Sequence, residues 1–104
     1  MHEVVLSGIG VIGPHGVGVQ PLIESVAHHA PSFYPWPEAQ EPPHPAAKIA
    51  NILAFPKTQF FTERQLRLMD RAMTISSTAA GLALEDAGFI DGAVPTDTAT
   101  FLGT

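Results

Sequence analysis

Residues 4–18 of this chain read VVLSGIGVIGPHGVG. The first three side chains are apolar and two of them are β-branched, which predicts a buried β-strand that ends at Gly8. Five glycines then follow at every second or third position, with Pro14 among them. Such a run predicts a loop that needs either positive φ angles or a close approach of its backbone to another element.

The chain beyond the glycine loop alternates between regular and irregular segments. Helical spacing predicts a helix from Val19 to about His29, with Pro21 in its first turn, where no amide donor is required. Residues 31–47 hold six prolines, which exclude a helix or a sheet interior and predict an extended excursion over the surface. Residues 47–53 are predicted as a short strand. The candidate anchors of the excursion are three aromatic residues: Phe33, Tyr34 and Trp36.

The clearest predicted element is a long helix that runs from Thr62 to Ala87. Thr62 and Gln65 fit a capping box at its start, and Gly88 suits the position just after its end. One side of its later turns carries only small residues, which predicts a close neighbour on that side. Residues 98–102 read as a second strand. The small residues are Ala72, Ser76, Ala79, Ala80, Ala83 and Ala87.

The charges are unevenly distributed along the chain. The net charge is −5, yet all five basic residues fall between positions 48 and 71. Arg64, Arg67 and Arg71 are predicted to share the exposed side of the long helix, where they form either a solvated surface or a docking surface for an acidic partner. Asp70 is predicted to form an ion pair with Arg67 or Arg71.

Several classes of function are excluded or disfavoured. The 104 residues contain no cysteine, so they hold neither a thiolate metal site nor a cysteine nucleophile. The five histidines do not form a metal-ligand pattern, because His28 and His29 are adjacent and the others lie in separate predicted loops. Residues 8–13 fit the pattern G-x-G-x-x-G, but Pro14 follows at once and no acidic residue ends a later strand, which argues against dinucleotide binding.

Location and general partners follow from the composition. The negative net charge argues against nucleic-acid binding. No apolar run approaches the ~18–20 residues that span a bilayer, and the N-terminal residues lack the basic region of a signal peptide. We therefore expect a cytoplasmic protein without a membrane span. No catalytic, cofactor-binding or metal residue is assigned from the sequence.

Five short motifs, in their order and spacing, resemble the N-terminal portion of β-ketoacyl-acyl-carrier-protein synthases, which belong to the thiolase-like superfamily. The resemblance runs over nearly the whole chain, although Gly13 stands where the family commonly has serine. The motifs are VVLSGIGVIGPHGVG at 4–18, KIA at 48–50 followed by Phe55, LMDR at 68–71, ALEDAG at 83–88 and FLGT at 101–104.

The resemblance implies an α/β chain with a partial thiolase-like fold: strand, helix, excursion at 31–47, long helix and strand, all within the N-terminal part of one half. Residues 1–104 would form the N-terminal fragment of a synthase domain. In that family a cysteine takes an acyl chain from acyl carrier protein, and decarboxylated malonyl-carrier protein attacks the thioester in fatty acid or polyketide biosynthesis. The nucleophilic cysteine and its His/His or His/Lys partners lie further along the family's sequence. No catalytic role therefore transfers to these residues, and no cofactor is implied.

Two alternatives remain open. The chain could instead correspond to a chain-length factor, the synthase-like partner without the active cysteine. Under either interpretation, the complete protein is expected to form a homodimer or a synthase/chain-length-factor heterodimer. It could also be a non-catalytic module that binds a carrier protein or a synthase subunit through Arg64, Arg67 and Arg71. Because two or three strands leave open sheet edges, we expect the isolated chain to be marginally stable or to associate.

Overall fold

The computed structural model describes residues 2–30, 33–35, 48–89 and 94–103. Two short antiparallel strand pairs and four helices are present in this part of the chain. In chain order they are β1 (Ile12–Gly13), β2 (Gly16–Val17), α1 (Val19–Ala27), β3 (Tyr34–Pro35), β4 (Lys48–Ile49), α2 (Lys57–Phe60), α3 (Glu63–Leu66) and α4 (Arg71–Asp86).

The glycine loop folds back on itself as the β1–β2 hairpin. Ile12 pairs with Val17, and the amide of Gly18 donates to the carbonyl of Val11 at 2.8 Å. Gly16 and Gly18 have φ angles of 132° and 97°, a region that side chains with a Cβ rarely adopt. The prediction that this loop needs positive φ angles is confirmed.

Helix α1 begins directly after the hairpin, at Val19, and Pro21 lies in its first turn as predicted. It ends at Ala27, two residues earlier than expected. His29 turns the chain out of the helix with φ 49°, and the amide of Ala30 donates to the carbonyl of Ser25 at 3.0 Å. This is the left-handed helix ending that glycine usually provides, here formed by a histidine.

The predicted single helix from Thr62 to Ala87 is wrong, because the chain leaves the helical path at Asp70. The capping box of Thr62 and Gln65 is confirmed, but it starts the four-residue α3. Asp70 then takes an extended conformation, and its carboxylate accepts from the amide of Met73 at 2.7 Å. A new N-cap therefore starts α4, which is where the family's Met-Asp-Arg motif places the beginning of a helix.

The far end of α4 is confirmed. Gly88 has φ 86°. The amide of Phe89 donates to the carbonyl of Leu84 at 2.9 Å, and the amide of Gly88 donates to the carbonyl of Glu85 at 3.0 Å. These two bonds form a Schellman motif with glycine at the left-handed position.

One side of α4 packs against α2. A Cβ placed on Gly81 would lie 2.9 Å from the ring of Phe60, and the side-chain amide of Gln59 donates to the carboxylate of Glu85. Thr74 and Thr78 lie on the same side of α4, and they are the buried residues of the described structure, with 7% and 0% of their surface exposed.

The strands predicted near the two ends of the chain are absent from the described structure. No strand forms at residues 4–8 or at 98–102. Val4 is 94% exposed and Phe101 is 93% exposed. The amide and the hydroxyl of Thr98 both donate to the carbonyl of Pro95, which closes a turn. A strand requires a hydrogen-bonded neighbour, and the described residues supply none for either segment.

A short strand pair joins the two ends of the excursion. Tyr34–Pro35 pairs with Lys48–Ile49, and the side-chain amide of Asn51 donates to the hydroxyl of Tyr34 at 2.7 Å. The predicted strand at 47–53 is thus shorter than expected. Of the predicted aromatic anchors, Phe33 and Tyr34 are both exposed, although Tyr34 accepts the bond from Asn51, and Trp36 lies outside the described residues.

Candidate functional site

A close backbone contact joins α4 to residues 8–10, which we call the glycine segment. A Cβ on Gly8 would meet the carbonyl oxygen of Ala83 and would lie 2.7 Å from the Cβ of Ala87. A Cβ on Gly10 would meet the carbonyl oxygen of Ala79 and would lie 2.6 Å from the amide nitrogen of Ala83. The two predictions of a close backbone approach and of a close neighbour for the small-residue side of α4 are confirmed together.

The glycine segment runs in the opposite direction to α4. Gly8 lies against the last turn, at Ala83 and Ala87, and Gly10 lies one turn earlier, at Ala79 and Ala83. One turn of helix rises about 5.4 Å, and two residues of extended chain span about 6.6 Å. The segment is therefore nearly extended, and both glycines turn the same side towards the helix.

A hydrogen bond joins the glycine segment to the end of α4. The amide of Ile9 donates to the carboxylate oxygen Oδ2 of Asp86 at 2.9 Å. Asp86 belongs to the ALEDAG motif, and Ile9 belongs to the VVLSGIG motif. This contact could not be predicted from the sequence, because the two residues are 77 positions apart and no local pattern around a helical acid indicates such a bond.

An open groove of about 440 Å³ lies beside this contact. It is lined by Ser7 and Gly8, by the small-residue side of α4 and by residues 98–101. The described lining side chains are not titratable, and they offer hydroxyls and apolar surface.

The three arginines do not share one helix face, contrary to the prediction. Arg64 and Arg67 lie on or next to α3 and are exposed. Arg67 forms an exposed ion pair with Glu63 at 3.6 Å. The Arg71 guanidinium instead donates to the carbonyl oxygen of Ile52, which ties the start of α4 to the chain after β4. The predicted ion pair of Asp70 is also wrong, because its carboxylate caps α4.

Histidine and serine side chains do not assemble into a reactive group in the described part of the chain. The ring of His15 packs against Gly13 within the hairpin, and its Nε2 is buried without a hydrogen-bond partner there. The hydroxyls of Ser25 and Ser76 donate to the carbonyls of Ala30 and Ala72. Within residues 2–30, 33–35, 48–89 and 94–103, no three His, Asp or Glu residues are grouped to hold a metal ion.

The helices described here are too short or too polar for any of them to cross a membrane.

Comparison with known sequences confirms the resemblance to a β-ketoacyl synthase, of which this chain matches a part. The relative is a protein of Streptomyces rimosus named as oxytetracycline polyketide β-ketoacyl synthase 1, and it is 32% identical over 102 residues. The match covers 98% of this chain and 24% of the relative, so the chain spans about a quarter of the relative's length. No family model matches the chain, and no solved structure matches it.

Proposed function

We propose that these residues form the scaffold section of a polyketide β-ketoacyl synthase with a thiolase-like fold. The complete enzyme would join an acyl thioester to a decarboxylated malonyl thioester. The observation that carries this proposal is the 32% identity over 98% of the chain to a protein named as such a synthase. That name favours a synthase over a chain-length factor, and it favours polyketide over fatty acid biosynthesis.

The contribution of these residues would be structural. A thioester intermediate needs a thiol, and the 104 residues contain none. The motif at 4–18 is instead in direct contact with the motif at 83–88. Gly8 and Gly10 pack on Ala79, Ala83 and Ala87. This section would hold part of the frame that positions catalytic groups supplied by the rest of a synthase.

A chimera tests the proposal. The matching quarter of the Streptomyces rimosus protein is replaced by residues 1–104, and condensation of acyl- and malonyl-carrier protein is followed by mass spectrometry of the β-ketoacyl product. We expect product from the chimera and none from the 104-residue chain alone. Product from the chain alone, or a folded chimera without activity beside an active parent, would overturn the proposal.

Two alanine variants of the chimera make the test specific. Gly10→Ala places a methyl group against the backbone of α4 and should abolish condensation. Gln20→Ala shortens an exposed side chain of α1 and should leave condensation unchanged. Equal activity of the two variants would show that the packing of the glycine segment does not support the reaction.

We further propose acyl carrier protein as the partner of the surface formed by α2 and α3. Lys57 lies in α2, and Arg64 and Arg67 lie in or next to α3. All three are exposed, Arg67 is paired with Glu63, and the net charge of the chain is negative. Such a local concentration of positive charge steers an acidic partner towards one face. Arg71 is left out of this surface, because its guanidinium already bonds to Ile52.

Charge reversal tests this docking surface. We expect the double variant Arg64→Glu and Arg67→Glu to weaken carrier-protein binding by about tenfold or more at low salt, with less difference at high salt. The single variants Arg64→Glu and Lys48→Glu change the net charge equally, so Lys48→Glu in β4 is the matched control for Arg64→Glu and should change affinity less. Unchanged affinity of the double variant would remove the α2–α3 surface as the docking site.

A further inference from the structure

The helical turn that begins with α3 continues as far as Met69. The amide of Leu68 donates to the carbonyl of Gln65 at 3.0 Å. The amide of Met69 donates to the carbonyl of Leu66 at 3.2 Å. Leu66 and Met69 are three residues apart and both half-buried, so they mark the inner side of this turn. Leu68 is 82% exposed, although it is as apolar as the two half-buried residues.

Leu68 shares the outer side of the turn with two arginines. Residues three and four positions apart are neighbours on a helical surface, so Arg64 lies next to both Arg67 and Leu68. All three side chains are exposed, and Arg67 is paired with Glu63. The outer side therefore combines one apolar side chain with a local concentration of basic groups.

The surroundings of Leu68 differ from those of the exposed apolar residues near the two ends of the chain. Phe101 lines the groove beside α4 and Leu102 follows it, and the described lining of that groove carries no charged side chain. More of the same domain can cover such a surface. Leu68 lies among charged groups, which are rarely buried inside a domain. We therefore expect the outer side of the α3 turn to remain at the surface of a complete synthase.

We propose that Leu68 is the apolar contact of the α2–α3 surface, on which the carrier protein places an apolar side chain while its acidic side chains face Arg64 and Arg67. This role rests on the proposed docking of carrier protein at that surface. The charges steer the encounter and are screened by salt. An apolar contact that excludes water adds affinity with little dependence on screening. Leu68 thus distinguishes a partner with a matching apolar side chain from one that offers negative charge alone.

Variants of the 104-residue chain test this role. Leu68→Ala removes the apolar surface, and Leu68→Met keeps it. Leu102→Ala removes the same atoms from a leucine that is 73% exposed and lies beside the groove, which makes it the matched control. The double variant Arg64→Glu and Arg67→Glu tests the charges. Binding of a fluorescently labelled acyl carrier protein is measured over a range of sodium chloride concentrations.

We expect Leu68→Ala to weaken binding by about tenfold at every salt concentration, as for the loss of one buried leucine contact. Its dependence on salt should run parallel to that of the wild type. Leu68→Met and Leu102→Ala should bind as the wild type does. The double variant should lose most affinity at low salt.

The proposal is overturned if Leu68→Ala binds as tightly as the wild type, if its loss disappears at high salt, or if Leu102→Ala loses as much. A weakened double variant beside an unchanged Leu68→Ala would leave the docking surface standing and remove only the role of Leu68. If the wild type does not bind, or if the double variant binds unchanged, the docking surface fails and the role of Leu68 fails with it.

Discussion

Residues 4–6 and residues 8–10 belong to one continuous stretch, yet their environments differ sharply. Gly8 and Gly10 lie against the backbone of α4, whereas Val4 and Leu6 are 94% and 81% exposed. Residues 8–10 have their partner within the chain, and residues 4–6 have none among the described residues. The comparison teaches that β-branched, apolar sequence forms a strand only where a neighbouring strand can satisfy its backbone.

The largest effect is expected from breaking the packed half of this stretch. Gly10→Ala drives a Cβ into the backbone of α4, which cannot move aside as a flexible side chain could. We expect a loss of about 3 kcal/mol in the free energy of unfolding, measured by urea denaturation. Gly103→Ala is the control and should change stability by less than about 0.5 kcal/mol. Similar losses in the two variants would contradict the close contact.

The start of α4 offers the next largest effect. Asp70→Ala removes the carboxylate that accepts the Met73 amide, so we expect a loss of about 1 to 2 kcal/mol in the free energy of unfolding. Asp70→Asn retains an acceptor and should lose much less. If both variants were as stable as the wild type in thermal denaturation, the break between α3 and α4 would need another cause.

Two buried threonines should respond in opposite directions to the same substitution. The hydroxyl of Thr78 is buried without a hydrogen-bond partner in the described structure, so Thr78→Val should raise the free energy of unfolding by about 1 kcal/mol. The hydroxyl of Thr74 donates to the carbonyl of Asp70 at 2.7 Å, so Thr74→Val should lower it by about 1 kcal/mol. Changes of the same sign would refute this difference between two sites on one side of α4.

The smallest effect on stability is expected from a substitution within residues 4–6, the exposed part of this stretch. Leu6→Ser should change the stability of the 104-residue chain by less than about 0.5 kcal/mol, because Leu6 is already exposed. In the chimera the same substitution should cost about 1.5 to 3 kcal/mol if the rest of a synthase buries this side chain. Calorimetry compares Leu6→Ser with its parent protein, once in the 104-residue chain and once in the chimera. Equally small changes in stability would contradict a buried strand at residues 4–6 in the chimera.

The sequence predicted best those features that depend on near neighbours. The positive φ angles of Gly16 and Gly18, the capping box at Thr62 and the helix end at Gly88 all follow from a few adjacent residues. The break at Asp70 was missed because apolar spacing continues across it, although Asp is a favoured N-cap residue. The spacing of small residues also indicated correctly that α4 needs a close neighbour.

Contacts between residues far apart in the chain could not be predicted from sequence spacing. The bond from Ile9 to Asp86 and the bond from Arg71 to Ile52 depend on how elements pack, and neither residue pair has a characteristic spacing. The absent strands at 4–8 and 98–102 have the same cause. Both segments carry residue types that favour strands, but strand formation depends on a neighbour that a local pattern does not reveal.

The paired strands β3 and β4 bring the chain back to the place that it left, since Pro35 lies opposite Lys48. Because this pair holds the two ends of the intervening stretch together, each doubling of the stretch's length adds about 0.6 kcal/mol to the entropic cost of closing the loop. A tag inserted between residues 35 and 48 would therefore act first on the pairing of β3 with β4.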